Sequence, residues 1–382
     1  MKIAAVKATP LNIPVVLDAA GMEKKTSLSV CLVEVQADDG RSGYGITGIT
    51  EEEVVAAAVN EVVAHNIAGE DPLRNERIWE KLYWTLSPRG QTGYASHAIA
   101  AVDVALWDLK GQALGQPVWR LLGGARSRVP IYTTFGFGAY NREELAAAAK
   151  WWAGRGHRHL KMVVGHHALQ RRDEPRPLSE VIAEDARRVR AVRDATDAEL
   201  HVDANCSLDP FHAAELARSI EDSHISFFEE PIKENDIPAM RELKSQTRIP
   251  LAAGQNEGLA WRFRDLISSR AVDIIQPNVV IGGGFTQCLR IAGIASAYNV
   301  PMANGGAWPF HNMHLHAGLA NGGTVEYHFA SVRVCEAIYG PLPEPKDGWL
   351  DLPEKPGLGF TPVKDNVQEL AKRPTSRGKG KA

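Results

Sequence analysis

Three strand-like runs lie close together in the middle of the chain, and each ends in carboxylate or amide groups. His201-Val-Asp-Ala-Asn205 delivers Asp203 and Asn205, Phe227-Phe-Glu-Glu-Pro231 delivers Glu229 and Glu230, and Pro250-Leu-Ala-Ala-Gly-Gln-Asn-Glu257 delivers Gln255, Asn256 and Glu257. Amphipathic runs of helical period separate them, so each strand–helix unit is roughly 25 residues long, as in a parallel βα barrel. In a parallel sheet all strand C-termini open on one face, so these oxygen donors converge there. Hard oxygen donors at a barrel mouth point to Mg²⁺ rather than to zinc, which favours His and Cys.

The repetition extends in both directions. Strand signals fall at Pro130–Phe135, His159–Val164, Leu200–Asp203, Ser226–Glu229, Pro250–Ala253, Asp273–Gln276, Val300–Ala303 and Thr324–Tyr327, with helical runs between them. No GxGxxG follows the first strand, and Gly282-Gly283-Gly284 comes too late for an open dinucleotide-binding sheet. The pattern predicts an α/β chain: a modified TIM (β/α) barrel with an N-terminal α+β capping domain. The expected divisions are a cap over 1–125, a barrel over 126–340, and a C-terminal return with a basic tail over 341–382.

Within the cap, Lys2–Pro10 and Ser27–Ala37 are β-rich, and the polar segment from Asp18 to Thr26, carrying Lys24 and Lys25, is expected as a loop between them. The run Ala98–Lys110 is apolar almost all round, which predicts a helix buried between the two domains. A formal charge of −3 gives no electrostatic reason to expect nucleic acid or an anionic membrane as partner. No run approaches the ~18 apolar residues of a membrane span. Four scattered cysteines without CxxC spacing read as reduced thiols of a cytoplasmic protein. Cys206 is expected to be an ordinary buried thiol, and the Gly- and Lys-rich tail is expected to be disordered.

The barrel motifs Val-Asp-Ala-Asn, Phe-Glu-Glu-Pro, Asp-Ile-Ile-Gln-Pro-Asn and Gly-Gly-Gly-Phe-Thr occur in order, after a cap carrying Val-Asp-Val-Ala-Leu-Trp-Asp-Leu-Lys-Gly and Leu-Leu-Gly-Gly. As a set they resemble the enolase superfamily, in its mandelate racemase-like subgroup, over nearly the whole chain. The resemblance implies Mg²⁺ held by carboxylates on three successive strands, and removal of the proton α to a substrate carboxylate. Carried over by position, Asp203 and Glu229 match the first two metal ligands. The third falls on Gln255, with Glu257 two residues on as the alternative. The second lysine of the family's Lys-x-Lys is here Val163, leaving Lys161, and the family's His–Asp pair maps to Gly305 and Asn278.

Other groups are left to work near the mouth. Lys161 is a base if its pKa is lowered, or else a substrate-carboxylate contact. His311 could stand in for the lost histidine, and Glu326 could bond the substrate carboxylate. Lys24, Asn205 and Trp308 are the expected substrate contacts. His166 and His167 read as loop histidines, His314 and His316 as structural, and His201 as a core histidine in the lower barrel. A racemase with opposed bases lacks its parts here. The reading is a Mg²⁺-dependent dehydratase of a hydroxy-carboxylate of acid-sugar type, a hydro-lyase working through an enediolate, and often a homo-oligomer. A one-base epimerase or cycloisomerase, or a silent carboxylate-binding barrel, remain the alternatives.

Overall fold

The computed structural model describes residues 1–86, 92–165 and 177–375; His166, His167 and the end of the tail lie outside them. The chain opens with a long antiparallel hairpin, β1 (Ile3–Ala19) and β2 (Met22–Ala37), and continues into β3 (Ser42–Gly48), which pairs with β2. The segment Asp18–Thr26 is therefore not a loop. Ala20 and Gly21 both adopt positive φ, 55° and 76°, and form a two-residue turn whose twist suits a hairpin. From Ala5 onward the ladder runs unbroken to Ala19↔Met22 and places Lys24 opposite Leu17. A stiff two-stranded arm thus carries Lys24 and Lys25.

Helices follow in the cap. Glu52–Ala57 continues through a π-helical stretch, Ala58–Val63, into Ala64–Ile67, and the longer helices are Asn75–Leu86 and Tyr94–Leu114. The last is buried along most of its length, as its composition requires. Polar atoms on these helices tie the cap to the barrel. Trp79 Nε1 donates to the Gly283 carbonyl (2.7 Å), and Trp107 Nε1 donates to the Thr286 hydroxyl (3.0 Å). Asp103 accepts from both the backbone N–H and the hydroxyl of Thr286 (2.9 and 2.6 Å).

The barrel strands are β4 (Arg128–Gly136), β5 (His159–Val163), β6 (Glu199–Asp203), β7 (Ile225–Glu229), β8 (Leu251–Ala253), β9 (Ile274–Ile275) and β10 (Val325–His328). They pair in parallel in the order β10-β4-β5-β6-β7-β8-β9. The expected strand at Val300–Ala303 shrinks to one bridge, Ile275↔Met302, and the ring closes through it and through Asn304 N to the Thr324 carbonyl (2.8 Å). After the barrel, β11 (Trp349–Asp351) pairs antiparallel with β4, and the helix Lys364–Ala371 packs on β1 and on the helix Phe329–Tyr339.

Side chains alternate along each strand, so His159, Lys161 and Val163 share one face of β5, and Glu199, His201 and Asp203 share one face of β6. The registers Lys161↔His201 and Val163↔Asp203 align the two columns. Tyr132, Phe227 and Ala252 form a small apolar layer, on which the His201 ring packs.

Candidate active site

Asp203 and Glu229 are paired in register at the C-terminal ends of β6 and β7. Both are buried, as are Glu230 and Gln255 beside them. Lys161 lies one layer lower, and its fully buried ammonium reaches Asp203 Oδ2 (3.1 Å), Glu229 Oε2 (2.8 Å) and Glu326 Oε1 (3.0 Å). Burial alone would lower the pKa of this lysine. The three carboxylates outweigh burial and hold it well above the ordinary lysine value. This charge environment does not favour the lowered pKa that a base would need; it holds Lys161 as a cation at the floor of the site.

One ammonium does not neutralise so many carboxyls. Glu229 is pushed well above the usual carboxylate range by burial and by Asp203, despite Lys161. Glu230 is raised by burial and Asp203, against hydrogen bonds from Asn235, Gln255 and Asn256. Glu326 goes the other way: burial would raise it, but Lys161, His328, the Thr134 hydroxyl (2.5 Å) and the Ala307 amide (2.6 Å) outweigh that.

The donor set suits a hard divalent cation on two counts. It is short of positive charge, and Glu229 Oε1 is buried with no hydrogen-bond partner. Asp203, Glu229 and Gln255 are the groups that would hold such an ion. The Gln255 amide nitrogen donates to Asp203 (3.2 Å) and Glu230 (3.1 Å), so an amide turned over would offer its carbonyl oxygen to such an ion. Glu257 does not join them. Its carboxylate accepts from Asn235 (2.9 Å) and pairs with Arg262 (3.0 Å), because the chain turns after Gly254 instead of continuing as strand.

Above these groups lies a cavity of about 770 Å³, roofed by the cap. Leu17, Lys24, Lys25 and Thr26 of the hairpin line it from above, and Asp203, Asn205, Gln255, Glu326 and His328 from the barrel. Lys24 is already paired with Glu144 (2.8 Å) and lies over the Tyr140 ring. Asn205 takes positive φ and donates its backbone N–H to Asp203 Oδ1 (2.7 Å).

Two expected residues lie elsewhere. Trp308 is fully buried outside the cavity lining, against Gly48, where an added Cβ would come within 2.4 Å of its ring. His311 is also buried away from the cavity, with Nε2 facing the Tyr339 hydroxyl (3.3 Å) and its ring against Phe360. Both follow from the Pro309–Gly318 helix, which turns the residues after Gly306 into the packed interior. His314 and His316 lie on the same helix, bonded to the Leu358 carbonyl and the Gly323 amide. Cys206 faces Glu230, its Sγ 3.4 Å away.

The positions of the missing His–Asp pair are filled by a braced loop. Asn278 Nδ2 donates to the Gly305 and Gly306 carbonyls (2.7 and 2.9 Å), and Gly305 lies against Gln255 and Gln276.

Sequence reasoning missed two histidines of the lining. His97 comes from the Tyr94–Leu114 helix, its Nδ1 2.5 Å from the Thr47 hydroxyl. Burial lowers its pKa to about 4. His328 lies two residues after Glu326, hence on the same face of β10, and this period-two signal was present in the sequence. Burial also lowers its pKa. Its Nδ1 accepts from the Ser331 backbone N–H (3.3 Å), which can only donate, so the proton of the neutral ring sits on Nε2.

Residues 2–123 match the family described as mandelate racemase / muconate lactonizing enzyme, N-terminal domain, and residues 143–366 match the family described as enolase C-terminal domain-like. The chain belongs to the mandelate racemase/muconate lactonizing enzyme family. Among the relatives of this family member, an arabinonate dehydratase of Saccharolobus solfataricus is 28% identical over 90% of each chain. A D-galactonate dehydratase of Ralstonia nicotianae is 34% identical over 71% of this chain and 70% of its own. The crystal structure of a racemase from Streptomyces coelicolor with bound magnesium superposes with a TM-score of 0.85 at 25% identity, covering 96% of this chain and 99% of that one. Among the described residues, no helix is long and apolar enough to cross a membrane.

Proposed function

We propose that this family member is a Mg²⁺-dependent hydro-lyase that dehydrates an acid sugar. One observation carries the reading. The cavity over the buried carboxylates is lined by neutral imidazoles, His97 and His328, while Val163 and Gly305 stand where a racemase of this family keeps its bases. Dehydration needs one base and help for a departing hydroxyl, not two opposed bases at one carbon. The names of the dehydratase relatives support a polyhydroxy acid as substrate class.

His97 is the base in this proposal. If its Nδ1–H donates to Thr47, the Nε2 lone pair is free to take the proton α to the substrate carboxylate, and a pKa near 4 keeps the ring unprotonated at neutral pH. The resulting imidazolium returns its proton to the β-hydroxyl as the carbon–oxygen bond breaks. His328 Nε2–H donates a hydrogen bond to that leaving oxygen. Water departs and an enol remains, which tautomerises to a 2-keto-3-deoxy acid. Bound at Asp203, Glu229 and Gln255, Mg²⁺ would supply the positive charge that makes the α-proton acidic. Lys161 fixes Asp203, Glu229 and Glu326 in place, and Glu326 orients the Ala307 loop. The hairpin arm covers the cavity and limits water.

The test is turnover of a panel of aldonic and aldaric acids with Mg²⁺, following 2-keto-3-deoxy products as semicarbazones. Turnover that falls by about 10²–10⁴-fold in His97→Gln, the usual worth of a positioned base, supports the assignment. Full activity in that variant overturns the role of His97. Solvent deuterium appearing at the α-carbon without loss of water overturns dehydration in favour of epimerisation or cycloisomerisation.

A further inference from the structure

At the opposite end of the barrel the same two strand faces carry a second cluster. His159 opens β5 and Glu199 opens β6, paired in register, and His201 follows two residues on. One ligand atom from each lies within 4.8 Å of the others. His159 Nδ1 and Glu199 Oε2 are already 3.1 Å apart. That is close to the roughly 3.4 Å between ligand atoms on a tetrahedral ion with bonds of about 2.1 Å. The rings of His159 and His201 lie nearly parallel, with centroids 6.1 Å apart.

A second, independent observation comes from His201. Its side chain is 5% exposed, and its Nδ1 is buried with no hydrogen-bond partner. Buried polar side-chain atoms are mostly partnered, so His201 departs from the expectation of a satisfied core histidine; His311, His314 and His316 each also leave one ring nitrogen unpartnered, but His201 does so beside a second imidazole and a carboxylate. The site has an entrance, since the Glu199 side chain is 59% exposed and that of His159 31%. Lys161 stands beside His201 in the register of β5 and β6, one layer above His159 and Glu199, and its charge is held by three carboxylates of its own.

We infer that His159, Glu199 and His201 form a site for a borderline divalent cation of the zinc class at the closed end of the barrel, separate from the oxygen-rich mouth. Two imidazoles and one carboxylate favour Zn²⁺, Co²⁺ or Ni²⁺ over Mg²⁺. An ion there clips β5 to β6 at their N-terminal ends. At that pole of a barrel such a site bears on stability rather than on chemistry.

Co²⁺ reports on this site. The full chain, with Mg²⁺ saturating the mouth, is titrated with Co²⁺ and read by visible absorption. The expected result is one ion per chain with the intense bands of four- or five-coordinate nitrogen-containing ligation, displaced by Zn²⁺, together with a rise in melting temperature on adding Zn²⁺. His159→Ala and Glu199→Gln change partly exposed side chains, so both variants should fold, and both should lose the bands and the Zn²⁺ shift while keeping the response to Mg²⁺. Absence of such bands in the wild-type chain, or bands of equal intensity in His159→Ala, overturns the site.

Discussion

Replacing Lys161 by Met keeps most of the side-chain volume and removes one buried charge. In the folded protein its ammonium lies 2.8–3.1 Å from oxygens of Asp203, Glu229 and Glu326, all buried with it. Taking one partner out of a buried ion cluster costs about 3–5 kcal/mol, because the remaining charges lose their compensation. An unfolding entropy of about 2.1 cal/mol/K per residue over 382 residues comes to about 0.8 kcal/mol/K. The expected loss in melting temperature is therefore about 4–6 °C, measured by calorimetry at pH 7.5 with chelator present. Adding Mg²⁺ should return part of it, because a divalent ion replaces the missing charge at Asp203 and Glu229. The gain on adding Mg²⁺ should thus be larger in Lys161→Met than in the wild type. A loss below 1 °C, or a smaller Mg²⁺ response in the variant, would refute the view of Lys161 as the cation that the carboxylates require.

Three further outcomes follow from the same geometry. Glu229→Gln should change the chelated melting temperature by less than about 2 °C, since burial and Asp203 already favour the neutral form of that carboxyl, yet it should abolish stabilisation by Mg²⁺; a retained Mg²⁺ shift counts against Glu229 as a ligand. The acid limb of kcat/KM should fall near pH 4 rather than 6.5, because the His97 base is neutral down to about that value; a limb between pH 6 and 7 removes His97 from the role. Asp103 is raised by burial to about 7 against its Thr286 hydrogen bonds. A raised folded-state pKa makes its contribution full below about pH 4, declining as pH rises to about 7 by at most ~1.4 kcal/mol per pH unit, and level above that. Denaturant titrations of wild type and Asp103→Asn across pH 4.5–8 should differ in slope by up to this amount below pH 7, and equal slopes would contradict it.

What could be read from the chain was set by short-range periodicity. The βα repeat, the strand ends at Asp203 and Glu229, and the buried Ala98–Lys110 run are each local patterns, legible because side chains alternate at fixed periods along strands and helices. Glu326 could be placed at the end of β10 by the same rule, and so could His328, which was passed over.

Tertiary structure decided everything that depends on who meets whom. The charge on Lys161 is held by Asp203 and Glu229 on neighbouring strands and by Glu326, far along the sequence and brought near only by ring closure between β10 and β4. The hairpin arm over the mouth depends on two positive-φ residues, and His97 reaches the cavity only because the cap helix packs over the barrel. Trp308 and His311 were lost to the interior when the Pro309–Gly318 helix formed, a turn of backbone that residue types alone do not specify. Sequence periodicity says which way a side chain faces along its own element; which charges then share one low-dielectric space follows from how distant elements pack, and that fixes the protonation state and role of each group.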